Sequence, residues 1–417
     1  MKYYDRLIEK TLKIELEAFG AVLISGPKWC GKTTTATKLA NSSINLQDPI
    51  NKENYLKILS INPDSLLNET PPMLIDEWQE APYLWDYVRQ NVDKKRGKGL
   101  YILTGSSTVD SSLISHSGVG RISRLTMRTL SLYESEHSTG LVSLLALFNN
   151  DCFRPNKSKL TINDYAELVI RGGFPDTIDK PLNIVKRQLD GYLNIISNQE
   201  IKTVYGAQKN ATIVQKILKS LARNIGTQAS ITTIISNLAN EEVNIHRETL
   251  ASYINAFRDL FIIEDLNAWT PKLRSSANVR TLDTRHFIDP ALAARVLNAQ
   301  VEDLLIDFNT FGYLFESLVI RDLRIYTEHI GGRVFHYHDS YGYEADAVIH
   351  LDDGRWGLVE VKLGGKQIDR AANNLIKISK NIDTNKAPSF LMIITGGELA
   401  YQRSDGVYVV PIGSLKP

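Results

Sequence analysis

The sequence predicts an α/β chain of two to three units: a parallel sheet built around a phosphate-binding loop, a helical middle, and a second, smaller α/β unit. Three observations carry this prediction. The 417 residues exceed what one core organises, since a domain typically spans about 100–200 residues. The apolar run Ala21-Val22-Leu23-Ile24 passes into Gly26-Pro27-Lys28-Trp29-Cys30-Gly31-Lys32-Thr33 and then Thr34-Thr35-Ala36-Thr37-Lys38-Leu39, so strand, glycine-punctuated loop and helix succeed one another. Apolar strand patterns recur both before residue 150 and after residue 276.

Composition narrows the function classes. With 48 basic and 47 acidic residues the formal charge is +1, so any nucleic-acid surface must be local. Cys30 and Cys152 are the two cysteines; they offer neither a disulfide framework nor a zinc spacing and fit a reducing compartment. The N-terminus lacks an apolar signal core, and the longest apolar run, Leu144 to Phe148, is too short to span a bilayer. A cytoplasmic protein without a membrane partner is expected.

The loop has the full G-x-x-x-x-G-K-[ST] pattern in the required strand-to-helix context. Gly26 and Gly31 free the backbone to turn its N–H groups toward phosphate, with Pro27, Lys28, Trp29, Cys30 and Thr34 completing the cradle. Lys32 reaches the β- and γ-phosphates and Thr33 offers a hydroxyl to Mg²⁺. ATP and Mg²⁺ are therefore the expected cofactors. Residues Tyr4 to Phe19 read as amphipathic helix covering the sheet, and Ser43 to Leu46 as a short strand. Met73-Leu74-Ile75-Asp76-Glu77 is an apolar strand ending in two carboxylates, 44 positions after Lys32. Asp76 is assigned to the metal and Glu77 to polarising the attacking water. Trp78 and Trp85 are assigned to the core. A further strand, Leu100 to Thr104, delivers Ser106 toward the γ-phosphate, with a helix cap as the alternative role. Arg121 is the candidate arginine finger, in its own subunit or a neighbour's, with Arg124 as second choice.

These motifs, with Leu103-Thr104-Gly105-Ser106-Ser107, Gly120-Arg121, Ser131-Leu132-Tyr133-Glu134 and Arg171-Gly172-Gly173-Phe174-Pro175-Asp176, resemble in order those of a prokaryotic AAA-type P-loop ATPase family carrying a C-terminal domain of unknown function. The resemblance spans nearly the whole chain. It implies ATP binding, an AAA-like sheet and a downstream endonuclease-like domain.

The middle reads as a helical lid followed by a winged helix. Residues 152 to 225 hold twelve Lys/Arg against six Asp/Glu, which a solvated helical surface accounts for. Apolar positions at Ile213, Val214, Ile217, Leu218 and Leu221 give one helix, a Ser230 cap opens a second, and Leu250, Tyr253, Ile254 and Phe257 mark a third. A strand from Leu260 to Leu266 comes next. His246, Arg247, Thr249 and Ser252 would face outward from the third helix, toward DNA or a protein partner.

In the last third, Asp289-Pro290 reads as an N-cap with proline at the first helical position. A helix from Phe311 to Ile330 then carries Glu316. Next come strands with Asp346, an Asp352-Asp353-Gly354 turn, and Glu360-Val361-Lys362. Glu360 and Lys362 share one strand face, with Asp346 across the hairpin. Two carboxylates and a lysine suit metal-assisted phosphodiester hydrolysis. The order is similar to the core of the PD-(D/E)XK endonuclease superfamily, with Glu316 as the helix acid, Asp346 and Glu360 as metal ligands and Lys362 as the cation. No proline precedes Asp346, a departure from that pattern. His336 and His338 lack a third ligand and are taken as packed.

The expected architecture is an AAA-like P-loop core (1–150), a helical lid (151–210), a winged helix (211–275) and a restriction-endonuclease-like α/β domain (276–417). The expected function is an ATPase that controls a nucleic-acid-acting, nuclease-like domain, with DNA ahead of RNA and a homo-oligomer compatible with it. The competing expectation is an ATP-gated scaffold for DNA or protein whose nuclease-like domain is inactive.

Overall fold

The computed structural model describes residues 2–105, 117–201, 210–271, 282–339, 342–382, 384 and 386–417. The first unit contains α1 (Ile8–Ala18), β1 (Ala21–Ser25), α2 (Lys32–Leu39), β2 (Ser42–Asn45), α3 (Lys52–Ile61), α4 (Asp64–Leu67), β3 (Met73–Asp76), α5 (Leu84–Lys95), β4 (Tyr101–Gly105) and β5 (Ile122–Thr126). Its five strands are all parallel in the order β2-β3-β4-β1-β5. Both faces of β1, β3 and β4 are covered, which is why these three strands read as largely continuous apolar runs, whereas the edge strands β2 and β5 are mostly polar. Ala21 and Leu23 pack toward Trp78 and Trp85 on one face, and Val22 and Ile24 toward Leu12 and Ala36 on the other. The tryptophan rings lie 5.2 Å apart in that core. The chain leaves β1 for strands on one side and returns from β4 to β5 on the other. A ligand crevice therefore opens beyond the carboxyl end of β1.

The middle contains β6 (Val142–Ser143), α6 (Leu144–Phe148), β7 (Asn156–Lys157), α7 (Ile162–Arg171) and α8 (Leu182–Ile195). A π-helical turn, Ile196–Glu200, extends α8. Then come α9 (Ala211–Arg223), α10 (Ile231–Ala239) and α11 (Arg247–Asp259). Ser230 caps α10 by accepting from the Thr233 N–H at 3.1 Å. The expected strand from Leu260 to Leu266 does not form as a continuous strand. Phe261 turns into the left-handed region (φ 54°), and beyond it the chain makes isolated bridges, from Ile263 to Phe287 and from Leu266 to Thr284. His246, Arg247 and Thr249 are exposed on α11 and Ser252 is half-covered.

The C-terminal part contains α12 (Pro290–Val296), α13 (Val301–Ile306), α14 (Phe308–His329), β8 (Gly332–His338), β9 (Glu344–Leu351), β10 (Trp356–Lys362), α15 (Ile368–Asn381), β11 (Leu391–Thr395), β12 (Leu399–Gln402), β13 (Tyr408–Pro411) and β14 (Leu415–Lys416). A seven-stranded mixed sheet runs β7-β12-β13-β11-β10-β9-β8. Its edge strand β7 comes from the lid segment, and β14 returns to pair with β6. One buried apolar cluster reaches from Leu132 through Leu221 and Phe315 to Leu415. The segments expected to be separate units are thus joined through a shared core. Among the described residues no helix is long and apolar enough to cross a membrane.

Candidate nucleotide and nuclease-like sites

The phosphate loop sits at the carboxyl end of β1. Gly26 has φ 154°, and a Cβ there would lie 2.1 Å from the Met127 carbonyl oxygen, so close backbone approach demands glycine. Lys32 Nζ donates to the carbonyls of Gly26 at 3.0 Å and Pro27 at 2.8 Å, and an ammonium has a third proton to offer phosphate. Thr33 Oγ1 donates to Asp76 Oδ1 at 2.9 Å, and Thr104 Oγ1 donates to the same oxygen. Hydroxyl and carboxylate, adjacent at the mouth of a helix N-terminus, fit a hard divalent cation carried in with a triphosphate. Thr33 and Thr34 are exposed in the first turn of α2, where helix amides lack intrahelical partners. Glu77 leaves the strand in a left-handed conformation (φ 56°), and its carboxylate accepts from Gln79.

Other loop side chains point away from the crevice. Lys28 pairs with Glu200 on the π-helical turn at 2.7 Å. Trp29 stacks on Phe174 at 5.3 Å, and Cys30 is buried. Their side chains brace the loop, leaving the backbone as their means of meeting phosphate. The brace continues through Arg6, which the sequence did not single out. Its Nη1 donates to the Cys30 carbonyl at 2.9 Å and its Nη2 to the Arg128 carbonyl at 2.7 Å. Its Nε donates to Glu134 at 3.1 Å. Glu134 also accepts from the backbone N–H groups of Leu7 and Ser131, both at 2.9 Å. Glu134 in the Ser-Leu-Tyr-Glu motif is thus a tie between the N-terminal segment and the loop. The single sequence signal for it was that motif.

Arg121 is not brought to the loop. Its carbonyl accepts from the Ala21 N–H at 3.1 Å, which places it at the amino end of the sheet, with its side chain on Asp93 at 2.8 Å. Four residues of strand, about 13 Å, separate that end from the crevice. Within one subunit the arginine-finger assignment therefore fails, because β1 and β5 run parallel and in register from Ala21 and Ile122. Arg124 lies over the Trp85 ring at 5.1 Å. Ser106 lies outside the described residues.

The Gly172-Gly173-Phe174 signature has a steric cause. A Cβ at Gly172 would meet Asp289 Oδ1 at 2.5 Å, and one at Gly173 would meet the Leu130 carbonyl at 2.1 Å. Asp289 is fully buried. Besides capping α12 through the Ala291 N–H at 2.9 Å, it accepts from Thr129 Oγ1 at 2.6 Å, the Gly173 N–H at 2.9 Å and Arg321 Nη1 at 3.1 Å.

The C-terminal constellation converges. Lys362 Nζ lies 2.6 Å from Glu360 and 3.2 Å from Asp346, and Asp346 accepts the Val361 N–H at 2.6 Å. Glu316, from α14, opens onto two clefts that also hold Lys362, one of them together with Asp346. Burial, then the Asp346 charge, pushes Glu360 up to about 8. The same two causes hold Glu316 well above the ordinary carboxyl range. Burial works against the Lys362 ammonium, yet Asp346 and Glu360 outweigh it and raise its pKa. Asn374, on α15, donates to Glu360 at 2.6 Å and to the Glu344 carbonyl at 2.9 Å. Nothing in the sequence marked it, since its partner lies on a distant strand. By chemistry the carboxylates suit a divalent cation. In this arrangement, however, the Lys362 ammonium holds the space between Asp346 and Glu360. Among the described residues no three His, Cys, Asp or Glu side chains are grouped to hold a metal ion. His336 is buried, with its pKa pushed down to about 4 by burial. His338 contacts Gln228 at 3.2 Å.

Comparison with known proteins agrees on the first unit. Residues 18–136 match the family model of an AAA domain, and together with the loop geometry this makes them an AAA-type P-loop ATPase domain. Residues 162–303 and 311–415 match two domains of unknown function, DUF8612 and DUF4143. No curated protein matches the sequence. Similar solved structures include a Walker-type ATPase of Pyrococcus abyssi, at 13% identity over 70% of this chain and 96% of that one, TM-score 0.43. A DNA polymerase III gamma subunit-related protein of Thermotoga maritima is similar at 11% identity over 61% of this chain and 98% of that one, TM-score 0.23.

Proposed function

We propose that this chain is an ATP-hydrolysing switch whose nucleotide state governs a nuclease-like C-terminal unit acting on nucleic acid, DNA ahead of RNA. The observation that carries the reading is a continuous set of contacts between the two sites. Trp29 of the phosphate loop stacks on Phe174, the neighbouring Gly173 N–H bonds Asp289, and Asp289 pairs with Arg321. Arg321 lies on α14, the helix that carries Glu316. In the nucleotide site Lys32 and the loop amides would bind the triphosphate, Thr33 and Asp76 would hold Mg²⁺, and Glu77 would orient water. Bound there, Mg²⁺ supplies charge neutralisation to the transferred phosphoryl group. Arg121 would act only on the nucleotide of a neighbouring copy. Residues 211–275, read as a winged helix, would present α11 to DNA or to a protein.

Purified protein should hydrolyse ATP. Lys32→Ala should abolish nucleotide binding, whereas Asp76→Asn should keep binding and lose turnover by about a hundredfold or more, the scale of an electrostatic catalytic contact. Metal-dependent cleavage of DNA or RNA that disappears in Asp346→Ala and Lys362→Ala and varies with bound nucleotide supports the nuclease half; cleavage unaffected by either substitution refutes it. The position of Lys362 between Asp346 and Glu360 favours a second reading, an ATP-gated scaffold whose C-terminal unit binds DNA or protein without cutting. Calorimetric titration of the full chain with Mn²⁺ separates the two, since carboxylate-dependent binding beyond one equivalent requires the ion to displace Lys362.

A further inference from the structure

We infer that the C-terminal unit takes a single strand of nucleic acid along a trough over Lys362, its bases stacking on Phe308 and Tyr313 and its phosphates meeting Lys366, Arg370 and Lys377. The inference rests on the proposed nucleic-acid role of this unit and names the surface and the strandedness. Three clefts of about 710, 700 and 440 Å³ all share Lys362. The second and third also share Tyr313 and Glu316, so together they form one trough passing over the carboxylate cluster. On the α14 side, Phe308 is 56% and Tyr313 38% exposed, large rings left in water beside polar groups. On the α15 side, Arg370, Asn374 and Lys377 line the first cleft at intervals of four and three residues, hence on one helix face. Arg370 and Lys377 stand about 10 Å apart along the axis. Lys366, Arg370 and Lys377 are exposed and form no ion pair among the described residues. Arg321, Arg324, Arg355 and Arg403 of the same unit are all paired with carboxylates. Cations kept free of partners beside exposed rings are what a nucleic-acid backbone with unstacked bases requires, since aromatic stacking needs a base face that a duplex hides.

The test is fluorescence anisotropy on the full chain carrying Asp346→Asn, with labelled 20-nucleotide single-stranded DNA, the matching RNA, and the DNA duplex as probes. Arg370→Glu with Lys377→Glu should weaken single-strand binding at least tenfold. It should also flatten the dependence of log affinity on log salt by about 1.4, two phosphate contacts at about 0.7 each. Phe308→Ala with Tyr313→Ala should weaken single-strand binding about thirtyfold or more, the scale of two lost base stacks, and leave duplex binding unchanged. The ratio of DNA to RNA affinity assigns the sugar. No single-strand binding by the parent, or parental affinity and salt slope in both double variants, overturns the inference. Loss of binding in the variants from a protein that cuts nothing upholds it while refuting the nuclease half. Cleavage that depends on Asp346 with undisturbed binding does the reverse.

Discussion

Replacing Asp289 by alanine removes one carboxylate that four donors share, and its cost can be worked from their geometry. The Ala291 N–H loses its cap, worth about 1 kcal/mol. Arg321 loses one of two carboxylate partners. Breaking a buried pair costs about 3–5 kcal/mol when the remaining charge is left alone, but Arg321 keeps Asp322, at 2.9 Å from Nε and 2.7 Å from Nη2. The penalty therefore falls below that range, at about 2 kcal/mol; the buried Gly173 N–H and Thr129 hydroxyl, each left without this acceptor, add about 1 kcal/mol apiece, for a total near 5 kcal/mol. At about 1–2 °C per kcal/mol for 417 residues, scaled from about 2–4 °C at 150–250 residues, the melting temperature should drop by roughly 5–10 °C in differential scanning fluorimetry. Asp289→Asn loses the charge and keeps a single oxygen acceptor, its other oxygen becoming an NH2 donor; with the oxygen toward Thr129, Gly173 and Arg321 it loses chiefly the Ala291 cap and part of the Arg321 interaction, so it should fall about half as far. If alanine and asparagine variants melt together, or both melt within about 1 °C of wild type, Asp289 does not join the loop motif to α14 as described.

The remaining predictions concern charge. Glu360, with a folded pKa of about 8 against about 4.3 unfolded, binds its proton more tightly in the folded state, so its contribution to stability falls as pH rises from about 4 to 8. Glu360→Gln should melt progressively higher relative to wild type across that window, and parallel melting profiles would contradict the assignment. Lys28 and Glu200 are 40% and 18% exposed, and a screened pair of this kind is worth about 0–1 kcal/mol; Lys28→Ala should shift melting by no more than about 2 °C. Arg6 and Glu134 are 4% and 1% exposed, so Arg6→Ala should cost about 3–5 kcal/mol and weaken nucleotide binding measured with a fluorescent ATP analogue.

How much was legible in sequence varied with how local each feature is. The phosphate loop, the Met73-to-Asp76 strand and the Asp289-Pro290 cap come from spacing along a few residues, because each is a backbone geometry that only certain residue types satisfy. The Glu360/Lys362 face was legible for the same reason, the two-residue period of a strand. The strand expected from Leu260 to Leu266 was not, since its composition suits a strand but Phe261 turns and the bridging partners lie 18 to 24 residues away. Arg121 was misplaced because a glycine-arginine pair before a strand does not reveal which end of the sheet it occupies.

By itself the sequence determined the geometry of the candidate nucleotide site: a glycine-bounded loop, Lys32, Thr33 and Asp76 are fixed by local backbone constraints and by one parallel strand neighbour. Only the tertiary structure decided what that site is attached to. Arg6 under the loop, Asp289 between Gly173 and Arg321, and the rings and cations around Lys362 come from segments far apart in the chain. Long-range burial and ion pairing bring such groups together, and no periodicity along the sequence records them.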